Sequence, residues 1–479
     1  MTPTSSKTLS QSDATSVVDN FISGADANKK TRTSQFEKYE IFVGGDQWDI
    51  DQIPEGDDPA LTFNKSEDYI NTYLAKLFPK NPETGALEIG VKCQETDKAK
   101  KESYEKEILE TYEKNSLPSL LMEQGKNFLI GGDACLYFPK DPLTNQAKII
   151  SIDPTTVYLG WNGDKLEQFA FEDKINLAEA EKNSKDNWLI GAIKTFLNIS
   201  SGPIDRFKKV KRITYWDEDF QIIKIDKTCE VRENTDHQIP VVWIPNNPVP
   251  HKHEGRSEIK SLYSLEQEIN YRTSDFGKRV KENTDAVLAI SSDLDSSKIT
   301  RESVRDGILA MAKGDKAEFL KLDENKEVLE YTTELHNRMD RKMAINDAVN
   351  GQIKSNVSSL AMLYYFSPLL DRIGLKRVQW DSAFKKLNEA ILRYKFQNGN
   401  FKNSPVYAPI MVVDQQSKIE NTILLLNNRL MTYREAIDTL RGGENSVTVF
   451  EEIKKEYQEL AKIDGFLEIK KKETPATIK

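Results

Sequence analysis

Residues 239–276 read IPVVWIPNNPVPHKHEGRSEIKSLYSLEQEINYRTSDF, and within this stretch the chain changes character. Ile239 to Ile244 is a short apolar run of the kind that forms a buried strand. Pro245, Pro248 and Pro250 end it, because proline has no N–H to give to a sheet ladder. After Gly255 the period becomes helical. Leu262, Ile269 and Phe276 recur every seven residues, with Ile259, Leu265 and Val280 on or beside the same stripe. The remaining positions carry charges of both signs. One such stripe cannot form a core alone, and its segment offers no other partner, so this helix is expected to pack against copies of itself.

Upstream, residues 130–250 read as strands and turns, with a polar insert near 176–200. Cys135 to Phe138, Lys148 to Ile152, Val157 to Trp161, Leu166 to Phe171, Lys211 to Trp216 and Gln221 to Lys227 are the expected strands. Asn162-Gly163-Asp164 and Asp217-Glu218-Asp219 are turns between them. Helices are expected at Asn64 to Phe78, where Ile70, Tyr73, Leu74 and Leu77 share a face and Pro79 stops the run, at Glu102 to Glu113, and at Leu117 to Leu129. The first ~30 residues, rich in Ser, Thr, Asp and Lys, are expected to be mobile or only locally helical.

Downstream, Ala286 to Ile290 and Lys316 to Leu322 are strand-like around a helical Arg301 to Ala312, giving a small α/β insert. A second helix follows, with Leu335, Met339 and Met343 four apart, and then a polar break at Asn350–Ser359. Trp380, Phe384, Leu387, Ile391 and Tyr394 mark an amphipathic helix, with Ser367-Pro368 as its start or a kink inside a longer one. Val406 to Val413 is an expected strand. Thr432 and Glu435 form a capping box for a helix that Gly442-Gly443 closes, and Val447 to Ile463 is a last helix.

The 479 residues, enough for about three domains, include 67 Lys and Arg against 76 Asp and Glu, a net charge of -9. That balance argues against a protein that sheathes nucleic-acid phosphates. No stretch approaches the ~18 apolar residues of a membrane span, and the polar N-terminus has no secretory core, so membrane and secreted readings are set aside. Three spaced cysteines, Cys93, Cys135 and Cys229, fit a reducing compartment.

Enzyme signatures do not stand out. There is no phosphate-cradling GxxxxGK[ST], and no GxGxxG, HExxH or GxSxG. His251-Lys252-His253 could ligate a metal, but two histidines in a proline-bounded loop without nearby cysteine read as surface. Asp217-Glu218-Asp219 could hold a divalent ion, but two-metal sites draw carboxylates from several elements and a turn explains it better. Gly131-Gly132-Asp133 reads as a turn into a strand, and Cys135 as a small core residue. No catalytic residue, metal or cofactor is expected.

The order of these pieces resembles a known family. Ile239 to Asn247, Gly255, Ser257, Leu262, Leu265, Ile269, Asn270, Ser274 and Asp275 are similar to a strand–linker–helix passage of tailed-bacteriophage portal proteins. Tyr39 to Trp48 is similar to that family's opening, and Asn71 to Pro79 to its helix end, here without the glycine before proline. Gly131 to Ala134 and Ile152-Asp153-Pro154 match its approach to a strand and the turn after it. The resemblance covers roughly residues 36–440.

It implies an α+β portal fold: a mixed α/β wing (1–255), a first stem helix (256–285), a clip (286–332) and a second stem helix (333–352). A tunnel loop, long wing helix and closing wing strand (353–428) and a helical crown (429–479) complete it. Stem packing falls to Leu262, Ile269, Phe276, Leu335, Met339 and Met343, and the DNA channel to Gln352, Lys354 and Asn356 in the polar break. The implied protein is a ring homo-oligomer, a dodecamer in the family, at one capsid vertex of a virion assembled in the host cytoplasm. Its partners would be the major capsid protein, the terminase large subunit and a head–tail adaptor, with double-stranded DNA as transient cargo. Two other readings compete. A head–tail adaptor ring protein is usually far shorter, and a terminase or nuclease subunit would need the phosphate loop or carboxylates on facing strands.

Overall fold

The computed structural model describes residues 9–49, 60–82, 84–141, 144–178, 187–196, 207–284, 287–291, 316–320, 326–346, 349, 359–396, 398–410, 415–441 and 446–460. The chain opens with α1 (Gln11–Gly44), capped by the Ser10 side chain, which accepts the Asp13 N–H, and ended by Gly45 at φ 86°. From Gln11 on, this corrects the expectation of a mobile or only locally helical N-terminus; residues 1–8 lie outside the described residues. Small residues spaced four and seven apart, Ala14, Val18 and Ala25, let the helix approach a sheet closely. They are buried there with Tyr158, Ala170, Tyr215 and Ile222. Burial of that stripe, not helix propensity, holds the segment.

Next come α2 (Lys65–Leu77), β1 (Ile89–Cys93), α3 (Lys98–Lys114) and α4 (Leu117–Ile130). Ile70, Tyr73, Leu74 and Leu77 are all buried on the expected face of α2. The strands β2 (Asp133–Tyr137), β3 (Ile150–Ile152), β4 (Val157–Asn162) and β5 (Lys165–Asn176) precede α5 (Asn187–Phe196). After it come β6 (Lys209–Trp216), β7 (Phe220–Ile225), β8 (Thr228–Glu233) and β9 (Val241–Pro245). β4 to β8 form an antiparallel meander in chain order, whereas β2 sits between β3 and β9 in a separate antiparallel sheet. The sequence reading runs β7 on to Lys227 and misses β8. A turn with Asp226 at φ 51° folds the chain back so that Ile225 faces Thr228.

Beyond β9 lie α6 (Tyr263–Thr284), β10 (Val287–Ser291), β11 (Lys316–Leu320) and α7 (Lys326–Lys342). β10 and β11 pair antiparallel, Val287 opposite Leu320. The helix expected at Arg301 to Ala312 lies outside the described residues. α6 and α7 lie against one another. α8 (Ser359–Phe396) is one long helix with Pro368 inside it, and it buries Trp380, Phe384, Leu387 and Ile391. β12 (Asn403–Tyr407) pairs with β1, Cys93 opposite Asn403. It therefore begins before the expected Val406 and ends at Tyr407. Its register is set by β1, a short strand that the sequence reading also misses. Everything to this point belongs to one compact unit, residues Met1–Lys80 and Gly85–Ala408.

A second unit comprises Asn81–Thr84 and Pro409–Lys479. It holds α9 (Gln415–Asn427), α10 (Tyr433–Arg441) and α11 (Ser446–Leu460). The capping box ahead of α10 is reciprocal. Thr432 N–H donates to Glu435 Oε2 at 2.8 Å, and Glu435 N–H to Thr432 Oγ1 at 3.2 Å. Gly442-Gly443 lies outside the described residues.

Candidate functional site

The passage from β9 into α6 is a buried polar hub. Gly132, at φ 102°, turns the chain into β2, and its carbonyl accepts the Asn246 N–H at 2.7 Å. The Asn246 carbonyl then accepts the Arg256 N–H at 2.6 Å, so the nine-residue excursion between them closes on Asn246. Gly255 fits this closure because it has no Cβ. A methyl there would lie 2.1 Å from the Gly132 oxygen and 2.3 Å from the Asn246 oxygen. The Gly255 N–H donates to Asp133 Oδ1 at 2.8 Å.

Side chains complete the closure. Asn246 Nδ2 donates to the Arg256 carbonyl at 3.0 Å and to Glu258 Oε1 at 3.1 Å, and Asn247 Nδ2 also donates to Glu258. Lys376, from the middle of α8, donates to Asn246 Oδ1 at 2.8 Å and pairs with Glu258. Burial lowers the Lys376 ammonium below the usual lysine range, and Glu258 offsets part of that. Asp133 is pushed up to about 7, chiefly by burial, against the Gly255 N–H and the Arg32 guanidinium, which pull it down.

The hub anchors one end of α6, and a ladder of side chains holds its flank. Glu266, Asn270 and Ser274, four residues apart, all face the segment that leads into α2. Ser274 Oγ accepts the Leu61 N–H at 2.9 Å, Asn270 Oδ1 the Phe63 N–H at 2.7 Å, and Glu266 Oε1 the Ser66 N–H at 3.1 Å. Asn270 Nδ2 donates onward to Gln47 Oε1 at 2.6 Å. The end of α7 is tied to the same region. Lys65 and Tyr69 bind the two oxygens of Asp340 at 2.8 and 2.6 Å, and Tyr73 Oη donates to the Met343 carbonyl at 2.7 Å. A pair of long helices is thus bolted at its base to the rest of the unit by buried and part-buried hydrogen bonds, and loss of a buried one leaves an unsatisfied partner.

Along the helix pair, Leu262 and Ile269 are fully buried within the chain and Phe276 is half-buried. The stripe therefore has intrachain cover after all. α7 lies against α6, and the 61–66 segment is bonded along the flank of α6; both are distant in sequence. Leu335, Met339 and Met343 are buried too. Val280, Leu329 and Tyr331 remain exposed. Gln352, Lys354 and Asn356 lie outside the described residues.

The weaker candidates all find local roles. The Asp217 carboxylate accepts the Asp219 and Phe220 N–H groups at 2.9 and 2.6 Å, which makes the acidic triplet a turn. His253 stacks on Trp161 with ring centroids 4.2 Å apart. Cys135 is fully buried and its thiol is pushed up by burial. Among the described residues no three His, Cys, Asp or Glu side chains converge as metal ligands. Sequence reasoning picked out Asn246, Asn247, Gly255 and Asn270 but missed Lys376 and Glu266. Within GLKRVQW a buried lysine looks like any solvated one.

A family model described as phage portal protein, SPP1 Gp6-like, matches residues 62–462. Among curated proteins none matches.

Proposed function

The chain belongs to the phage portal protein family, and on that premise we propose that copies of it close into a ring at one capsid vertex. DNA enters the head through this ring and later leaves through it. The family match carries the reading, and the paired helices support it. α6 and α7 are joined beyond their far ends by the insert bearing β10 and β11 and are held at their base by buried polar groups. α6 and α7 from residue 333 on suit the role of stem, with residues 286–332 as clip, the mixed α/β region as wing and the C-terminal helices as crown.

Exposed Val280, Leu329 and Tyr331 on the pair, and Leu375 and Val378 on α8, are apolar surface that a neighbouring copy would cover through a heterologous, ring-closing contact. The clip would receive the terminase large subunit during filling and a head–tail adaptor afterwards, and the wing would meet the major capsid protein. The net charge of -9 suits a channel in which DNA slides. Gln352, Lys354 and Asn356 are the proposed tunnel-loop contacts, polar or singly basic groups that touch a duplex without trapping it. The role requires no catalytic residue.

Negative-stain microscopy of the purified protein tests the assembly. Rings with a central hole are expected, and a compact monomer at every concentration overturns it. For the loop, particles carrying Lys354→Glu are expected to hold less DNA, and normal content overturns that assignment.

A further inference from the structure

Between α1, β4 and the loop that enters α6 lies a cleft of about 900 Å³. One wall is a face of α1 that presents Asn20, Gly24, Asn28 and Gln35. From Asn20 to Tyr39 that wall runs ~28 Å at 1.5 Å per residue, the length of about eight or nine extended residues. Asn20, Asn28 and Gln35 are exposed, and none of their side chains is hydrogen-bonded among the described residues. Across from them the loop and the entry to α6 bring Lys252, Arg256 and Lys260, all exposed. None of the three forms an ion pair among the described residues. Lys29 on α1, by contrast, is already tied to Glu172. The carboxylates in the lining are Glu254 and the buried Asp133. In a chain with a net charge of -9 this is a local excess of unspent positive charge.

We propose that this cleft binds an extended, acidic polypeptide segment of a second protein. A row of primary amides offers donors and acceptors together. That matches a peptide backbone, which presents both along its length, better than a sugar–phosphate backbone, which presents acceptors only. Cationic groups on the facing wall attract carboxylates of the segment. A stacked nucleic acid fits less well. The aromatic side chains in the lining, Phe21, Tyr39 and Trp161, are already engaged: Phe21 meets Tyr215 and Tyr39 meets Tyr263 edge-on, while Trp161 has His253 on one face and packs against the apolar cluster around Trp216 and Trp243. Gly24 keeps the trough open: no atom lies within 4 Å of the place its Cβ would occupy.

The test is fluorescence anisotropy of the full chain with a labelled peptide of about ten alternating Glu and Ser residues, and in parallel with a labelled oligothymidylate of equal charge. The peptide is expected to bind at low salt and to weaken as salt is raised. Lys252→Glu combined with Arg256→Glu is expected to weaken it by about tenfold or more. Gly24→Trp, which fills the trough without touching a charge, is expected to do the same. Both variants are on exposed positions, and their melting curves are expected to match the parent's. Tighter binding of the oligothymidylate overturns the proposal in favour of a nucleic-acid site. Absence of peptide binding, or peptide binding that both variants leave intact, also overturns it.

Discussion

Glu258 and Lys376, 118 residues apart in the chain, meet as a buried ion pair at the root of α6, their side chains 9% and 5% exposed. The pair is not isolated. Asn246 bonds both partners and Asn247 donates to the carboxylate, so neither charge is left unsatisfied. Such an arrangement fixes where β9, α6 and α8 meet more than it adds to net stability, since desolvating two charges offsets most of their attraction.

Removing one partner is therefore far worse than never having had either. Lys376→Met is expected to destabilise the folded chain by about 3–5 kcal/mol, because it strands the Glu258 carboxylate in the interior. Urea denaturation measures it. A loss below about 1 kcal/mol would mean that water reaches the carboxylate.

Asp133 makes stability depend on pH in a stated direction. Its folded value is raised to about 7, against about 4 for an unfolded aspartate, so the folded state holds the proton more tightly. Stability then falls as pH rises from about 4 to about 7 and levels off above. Asp133→Asn removes that slope while keeping an oxygen for the Gly255 N–H. The melting temperature of the variant relative to the parent is expected to rise between about pH 5 and about pH 8, and a constant difference refutes the assignment.

Gly255→Ala is expected to lower stability by more than about 3 kcal/mol, because the methyl meets backbone atoms of Gly132 and Asn246 that cannot swing away. Gly374→Ala is the matched control. It lies inside α8 with nothing within 4 Å of its Cβ position and is expected to stabilise by about 1 kcal/mol. Thermal melts of the two variants separate steric overlap from helix propensity.

Burial divides the seven-residue stripe of α6 into two kinds of position. Leu262→Asp is expected to unfold the chain, since that side chain is wholly inside. Phe276→Asp, at a half-buried site, is expected to disperse rings into folded protomers. Sedimentation with circular dichroism distinguishes the outcomes, and rings that persist with Asp at 276 remove this position from the contact between copies.

Local text by itself determined the elements whose signal is local. The face of α2 and the capping box of Thr432 and Glu435 follow from spacing and side-chain chemistry, so they are readable wherever they occur. The order of such pieces was enough to point to the family. Three things were decided only by the tertiary structure. The Ser- and Thr-rich N-terminus is a long helix because a sheet assembled from residues 157–233 covers Ala14, Val18 and Ala25. β1 and β12 are strands because each is the other's partner across some three hundred residues. Lys376 is buried because Glu258 and Asn246 arrive from elsewhere to bond it. In each case the free energy comes from contacts between distant residues, and no local window of sequence contains both sides of such a contact.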